Sequence, residues 1–462
     1  MKKLNMSRRD FLKMMGVSGA SLAASAGLDP FLLHTLAQEP VQITFGGWGA
    51  VAEDEGVKAA IEVFQEEHPE IQVEWQHTPD AGEYGTVLLT NLAAGTAPDT
   101  SFILSDQYET LAANGVLMDI TDRIANDPLL GQENYFFEPQ EAYRSAGGGD
   151  GRWYGIGSTW VAPQIYYNAD LFDEMGITPP GFLDDEIYDW DTFVEICKQL
   201  TVDTEGRHPD DAGFDSENIE RYAVDWNWGW QFLGSVIHSN GGQYLTDELT
   251  FAMDTPEAIE ALQRMVDLIY VHHVSPRSAT LSDLGMTNTQ MLDSGRLAMA
   301  VDGSWALSWI NSNELGITVG SGAIPKIVQP ASIMQAHFHS ALASSQHPDE
   351  AWEWIRFLAT PFYQTHFAKI GLWLPNQTSM LTEEGLQTWL TEGIHPDNYA
   401  NFVTDYLPKY GIAVRLPSGY IEASNNFITP AFDALAAGSA AADVMPAAVQ
   451  QANDVLAMAM QM

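Results

Sequence analysis

Residues 151–172 read G-R-W-Y-G-I-G-S-T-W-V-A-P-Q-I-Y-Y-N-A-D-L-F, an extended run with Ala162-Pro163 in its middle. Proline has no backbone donor and a fixed φ, so it fits poorly inside a central strand. Two readings follow. The run either crosses between two bodies or forms an edge strand with its aromatics on a buried face. Gly151, Gly155 and Gly157, set beside Trp153, Trp160, Tyr166 and Tyr167, suit a hinge that also lines a cleft.

Outward from this stretch, the chain has 462 residues, 45% of them hydrophobic. That length suits about two or three domains. Charged residues are only 18%, yet the formal net charge is −42. So acidic a body repels nucleic acid and anionic membrane surfaces. Few Lys or Arg remain to pair a phosphate, sulfate or dicarboxylate. The acidity fits the solvated surface of a secreted protein, and it also permits a cationic ligand. The single cysteine, Cys197, excludes an intrachain disulfide and reads as a small buried hydrophobe in a helix. The close histidine pairs, His272-His273 and His337/His339, lack a carboxylate at zincin spacing. No metal site and no cofactor is expected.

The N-terminus reads as an export signal over residues 1–37. S-R-R-D-F-L-K (Ser7 to Lys13) precedes an apolar, Gly/Ala/Ser-rich run from Met14 to Leu28, and Thr35-Leu36-Ala37 offers a small-residue cleavage site. The paired arginines resemble the twin-arginine signal. No cysteine follows the apolar run, so the mature chain is not expected to be a lipoprotein. The expected location is periplasmic or otherwise extracytoplasmic.

From Val41 strands and helices alternate. Strand-like runs at Val41 to Phe45, Ile71 to Trp75 and Thr100 to Leu104 are separated by helical runs such as Glu53 to Glu67, with Val57, Ile61 and Phe64 at helical spacing. This β-α-β-α-β order predicts a parallel sheet covered by helices, with ligands at the carboxyl ends of the strands. The informative loops are then Gly46–Asp54, Thr78–Tyr84 and Ser105–Tyr108. Further on, Asp189-Trp190-Asp191 and Thr255-Pro256 start helices, and Leu297 to Val301 reads as a short strand.

These landmarks, in this order, resemble the sugar-type periplasmic solute-binding proteins of ABC importers, the cluster that includes the maltodextrin binder. The matching pieces are G-T-A-P-D (Gly95 to Asp99), G-V-L-M-D-I-T (Gly115 to Thr121), Y-G-I-G…I-Y-Y-N-A-D-L-F, N-G-G, G-R-L-A-M-A-V-D-G-S-W (Gly295 to Trp305), H-P-D-E-A-W (His347 to Trp352) and G-L-W-L-P. The chain departs from the pattern at an insertion, Pro180 to Asp189, and at Phe338-His339-Ser340, where a Gly-Gly is usual. The resemblance implies an α/β, two-lobe periplasmic-binding-protein fold. Each lobe would be a mainly parallel sheet flanked by helices, with a multi-crossing hinge between them. The N-terminal lobe would take residues 41–161 and 341–385. The C-terminal lobe would take 164–340 and 386–462. Ala162-Pro163 would be the first of three crossings. The implied partners are a carbohydrate ligand and the permease subunits of an ABC importer, and the chain would act as a monomer, not as an enzyme.

A sugar presents flat C–H faces and many hydroxyls, so it calls for aromatic platforms and paired acceptors and donors. Candidates in the first lobe are Trp48 and Asp54, Tyr84, Asp106 (with Tyr108 as its alternative), and Trp160 beside the hinge. Asp54 could instead favour the start of the following helix. In the second lobe Trp226, Trp228 and Trp230 point to one side if their segment is extended and spread apart if it is helical. Trp228, Trp230 and Trp305 are the expected contacts there, with Trp373 and Asn425 added. The rival readings are the same fold taking a polyamine or other cationic solute, and a secreted glycoside-acting enzyme with two carboxylates across a cleft. A twin-arginine-exported redox protein would need a dinucleotide fingerprint or a Cys cluster, and neither is present in the sequence.

Overall fold

A computed structural model describes residues 40–130 and 151–459. The export signal expected over residues 1–37 lies outside the described residues. Eleven strands are described: β1 (Val41–Trp48), β2 (Ile71–Thr78), β3 (Thr100–Ile103), β4 (Ile156–Val161), β5 (Pro163–Asn168), β6 (Val202–Asp203), β7 (Ile219–Trp226), β8 (Leu297–Gly303), β9 (Val319–Gly322), β10 (Ser332–Ala341) and β11 (Gly411–Ala413).

They form two sheets. The first has the order β11-β10-β3-β1-β2, with β4 also on β10, and the second has the order β6-β7-β8-β5-β9. In the first sheet β1 runs parallel to β2 and β3, as the β-α-β pattern predicts. The helix Val51–Glu67 covers it, burying Val57, Ile61 and Phe64. The next helix, Ala81–Ala94, is capped by Asp80, whose side chain accepts from Glu83 N, and ends on Gly95 at φ 70°. Both ends follow the usual cap chemistry.

The stretch 151–172 divides between the sheets. β4 pairs with β10 in the first, and β5 pairs with β8 and β9 in the second. Pro163 is the first residue of β5, a position that tolerates the missing donor. Two details differ from expectation. The second sheet is mixed, because β5 runs antiparallel to both its neighbours and only β7 and β8 pair in parallel. The chain enters this sheet from the crossing, against the direction of β7 and β8. The boundary expected at residue 340 also moves. Gln335 to Ala341 pair with β4 and β3 in the first sheet, so the return crossing lies at Ser332 to Met334, where β10 meets β11.

Trp354, fully buried, sets its edge against Phe45 and Phe64 at 5.5 and 5.0 Å and stacks on Phe357. A second core, on the outer face of the second sheet, holds Cys197 and Trp226, with helices Trp190–Leu200 and Pro256–Tyr270 packed over it. Cys197 is fully buried, as its sequence setting predicts. In the first lobe Glu53 is buried in the first turn of helix Val51–Glu67, where its carboxylate accepts from Ala50 N at 3.3 Å. Burial raises its pKa to about 7, against the weaker opposing pull of that hydrogen bond.

Trp354→Ala should cost about 3–5 kcal/mol in a denaturant titration, the range for a large core truncation. A loss below about 1 kcal/mol would contradict its place at the centre of the first core. Glu53 generates a pH dependence of the opposite sign to a salt-bridged carboxylate. Its folded pKa lies above the unfolded value of 4.5, so its contribution is undiminished below pH 4.5 and declines as pH rises to about 7. Relative to wild type, Glu53→Gln should therefore gain about 3 kcal/mol between pH 4 and pH 8. Parallel pH profiles for the two proteins would refute the shifted carboxyl.

Candidate functional site

The site is built from the point where the chain changes sheets. Ser304 N donates to Ala162 O at 2.8 Å, and Ala162 N donates to Ser304 Oγ at 3.2 Å. This ties the first crossing to the end of β8 and sets Trp305, in the short 3-10 helix Ser304–Ser308, beside it. A Cβ on Gly303 would fall 2.1 Å from the Trp305 ring, so only glycine lets the indole fold back over the strand end. Trp305 is half-buried and packs against both hydrophobic cores. Beneath it Trp160 is 1% exposed, and its carbonyl accepts from Leu374 N at 2.8 Å. In this arrangement Trp160 braces the crossing and offers no face to a ligand.

The first-lobe candidates separate by burial. Trp48, the last residue of β1, stacks on Phe102 at 3.8 Å and meets the edge of His337 at 5.1 Å. Tyr84 is buried and hydrogen-bonds Ser101 Oγ at 2.5 Å. Trp373 is 7% exposed and stacks on Phe367 at 4.0 Å. Asp54 pairs with Lys58 at 2.6 Å and accepts from Trp75 Nε1 at 2.9 Å, with a ring nitrogen of His77 at 3.7 Å. The Lys58 contact above all holds its pKa down. Each of these four groups makes a contact within the protein.

Asp106 differs. It opens the helix Ser105–Ala113, and its Oδ1 is shielded from solvent with no hydrogen-bond partner among the described residues. Burial raises its pKa, against hydrogen bonds from its own and the Gln107 backbone N–H. A buried acceptor without a partner costs free energy unless a ligand donor meets it. The helix start is fixed from β10, where His337 Nδ1 accepts from Ser105 N at 3.1 Å. Tyr420, from the second lobe, lies within its electrostatic reach. Burial chiefly, and more weakly the Asp106 charge, raises the Tyr420 phenol.

The tryptophan triplet is split by a strand-to-helix turn. Trp226 ends β7 and is buried against Trp190 and Phe193, 6.2 and 6.1 Å away. Trp228 lies in the turn and Trp230 begins the helix Trp230–Ser239, both half-buried. Trp230 lies 5.2 Å from Tyr244 and 6.2 Å from Tyr420. Asn425 is exposed on the helical segment Ser424–Ile428. Two carboxyls that sequence reasoning passed over, Asp225 and Asp302, sit at the ends of β7 and β8. Asp302 accepts from Gly303 N at 2.8 Å and Asn227 Nδ2 at 3.3 Å. Burial, and to a lesser degree Asp302, pushes Asp225 up to about 6. Tyr420 and Glu109 were also missed, since neither stands in a motif and their contacts cross from one lobe to the other.

Larger hollows lie elsewhere. A groove of about 750 Å³ runs between helices Trp190–Leu200 and Pro256–Tyr270, away from the strand ends. Its acidic rim is already engaged, with Lys198 on Glu195 and Arg264 on Glu260.

A sequence profile described as bacterial extracellular solute-binding protein matches residues 48–365. An arabinooligosaccharide-binding protein of Halalkalibacterium halodurans is 29% identical over 126 residues, which span 27% of this chain and 24% of that protein. A putative binding protein of Brucella abortus is 24% identical over 321 residues, 68% of this chain and 70% of that protein. Among solved structures, an ABC substrate-binding protein of Listeria monocytogenes in complex with cycloalternan has a TM-score of 0.74 at 20% identity, covering 92% of this chain and 100% of that one. Maltose-bound MalE3 of T. maritima has a TM-score of 0.71 at 22% identity, covering 90% and 99%. The structural likenesses establish the two-lobed fold. The profile match, which runs from Trp48 at the end of β1 into helix Pro361–Lys369, shows that the chain belongs to the bacterial extracellular solute-binding protein family.

Proposed function

We propose that this chain is the extracytoplasmic substrate-binding component of a carbohydrate ABC importer. It captures a neutral sugar or oligosaccharide between its lobes and delivers it to membrane permease subunits without chemical change. The observation that carries the reading is Asp106 Oδ1, a shielded acceptor lacking a partner among the described residues and within electrostatic reach of Tyr420, on a second lobe that also carries the half-buried Trp228, Trp230 and Trp305. Sugar hydroxyls donate to such an oxygen, and sugar C–H faces lie on half-buried indoles. Relatives whose names or structures report arabinooligosaccharide, cycloalternan and maltose support the ligand class.

The magnitudes suffice. Aromatic contacts add about 0.5–1.5 kcal/mol each beyond burial, and hydrogen bonds to charged groups add about 1.5–3. After the costs of association and closure, a total near −8 kcal/mol corresponds to about micromolar affinity. The lobes would be residues 41–161 with 335–385, and 164–331 with 386–459, the pairing of 332–334 with β11 lying at the crossing, and the chain would act as a monomer. Export through the twin-arginine signal of residues 1–37 completes the reading. The contact set narrows from the sequence candidates to Asp106, Trp228, Trp230, Trp305 and Asn425. Trp48, Asp54, Tyr84, Trp160 and Trp373 form the walls behind it.

Titration of the purified protein with a panel of mono- and oligosaccharides should quench tryptophan fluorescence saturably for at least one sugar, with the sugar recovered intact. Hydrolysed product formed in proportion to protein would overturn the binding-only reading, and response to polyamines alone would overturn the sugar. With the responding sugar, Asp106→Ala and Trp305→Ala should each weaken binding by about 10-fold or more, about 1.4 kcal/mol apiece, with the fold retained by circular dichroism. Unaltered affinity in either variant would remove that residue from the site.

A further inference from the structure

Helix Ser105–Ala113 carries a second carboxylate one turn beyond Asp106. Glu109 Oε1 accepts from Arg415 Nη2 at 2.5 Å, across 306 positions of sequence. The helix belongs to the first lobe, where Tyr108, Leu111 and Ala112 sit in the core under the first sheet. Arg415 follows β11, the last strand of that sheet, and its neighbours Val414 and Leu416 are in the core of the second lobe. The ion pair therefore joins the helix under the first sheet to a segment whose neighbours lie in the second core. It is well shielded, with the Glu109 side chain 9% and the Arg415 side chain 28% exposed.

Taking two charges out of water is costly, and a buried pair is retained more for geometry than for stability. Burial raises the Glu109 pKa, and the Arg415 charge and hydrogen bond pull it back. The pair is also incomplete: Glu109 Oε2 and Arg415 Nε are shielded without partners among the described residues. Asp106 and Glu109 are three residues apart, so they share one side of the helix. Five residues beyond Arg415, Tyr420 lies within the electrostatic reach of Asp106 and is held by Tyr244 through a 2.9 Å hydroxyl contact. Gly419, at φ 86° and with Ala459 Cβ only 2.7 Å from where its own Cβ would be, makes the turn that delivers Tyr420. Helix 105–113 and segment 415–420 thus meet at two points, one charged and one polar.

We infer that the Glu109–Arg415 pair is a cross-lobe clasp that holds the ligand-free protein toward the closed arrangement and so sets ligand affinity through the open–closed balance. Glu109 and Arg415 are positioning residues in this role. The clasp orients the helix that presents Asp106, and it lowers the cost of closure before any ligand arrives. The affinity part of the inference rests on the sugar-binding reading; the conformational part concerns the protein alone.

The test uses spin labels at Glu62→Cys and Glu257→Cys, exposed positions on opposite lobes, with buried Cys197 left unlabelled. Interlobe distances are measured with no ligand for this labelled parent and for Glu109→Gln, Arg415→Lys and the Glu109→Gln/Arg415→Gln double variant. The clasp predicts that each variant shifts the ligand-free distribution to longer distances, with Arg415→Lys shifted least because its ammonium still pairs. A saturating sugar should restore the parent distance, with affinity weakened about 10-fold. Ligand-free distributions identical to the parent in all variants would overturn the clasp, whatever the sugar does. Should Glu109→Gln fail to fold, Arg415→Lys, which keeps the charge, carries the same comparison. A protein that responds to no sugar but still opens on losing the pair would refute the ligand class and leave the clasp standing.

Discussion

Two hydrogen bonds between Ala162 and Ser304 join the place where the chain leaves one sheet to the place where another strand of the second sheet ends. Much of the site depends on that junction. Because β5 starts at Pro163, its first residue opposes Gly303, and the turn after β8 is held against the crossing. Trp305 is then fixed between the two cores by the same few atoms that define the hinge.

Electrostatics separates the surface from the site. The net charge of −42 is carried mostly by solvated carboxylates, which ionise at little cost and keep anions away. Asp106, Asp225 and Asp302 are different, since burial raises the pKa of each. Of these, Asp302 is well supplied with donors from Gly303 and Asn227, whereas Asp106 has an oxygen left over. Asp106 keeps an unmet acceptor on the first lobe, and the half-buried indoles Trp228 and Trp230 lie on the second. A ligand satisfying both must touch both, which is the condition for binding energy to drive closure.

The fold was largely legible in the sequence because its signals are local. Helical spacing at Val57, Ile61 and Phe64, the cap at Asp189, and the proline after Ala162 each act within a few residues, and each forms as predicted. The strand β10 was misplaced because its partners β3 and β4 are remote in sequence, and nothing within Ser332 to Ala341 says which sheet it joins. The site was half legible. Residue type drew attention to the aromatics, but type cannot distinguish a platform from a wall. Trp48 and Trp373 have Phe102 and Phe367 stacked on a face, a pairing of residues remote in sequence for Trp48 and near for Trp373. Trp226, Trp228 and Trp230 were separated by a turn at Asn227 to Gly229 that neither the extended nor the helical reading included.

The same reasoning explains why Glu109 and Arg415 escaped notice while mattering to the geometry. An isolated acidic residue in a helix and an isolated arginine before Leu416-Pro417 carry no spacing signal, and the chain has 62 acidic residues to choose from. Their pairing is a property of two lobes already assembled. A charge pair in that location has little to add to folding, because desolvation offsets most of its attraction. It would have more to add to a small conformational difference, if the same desolvated pair is made or broken as a unit. A protein whose ligand contacts are divided between lobes gains from such a device. Without it, every contact on the second lobe would first have to offset the full cost of bringing the lobes together.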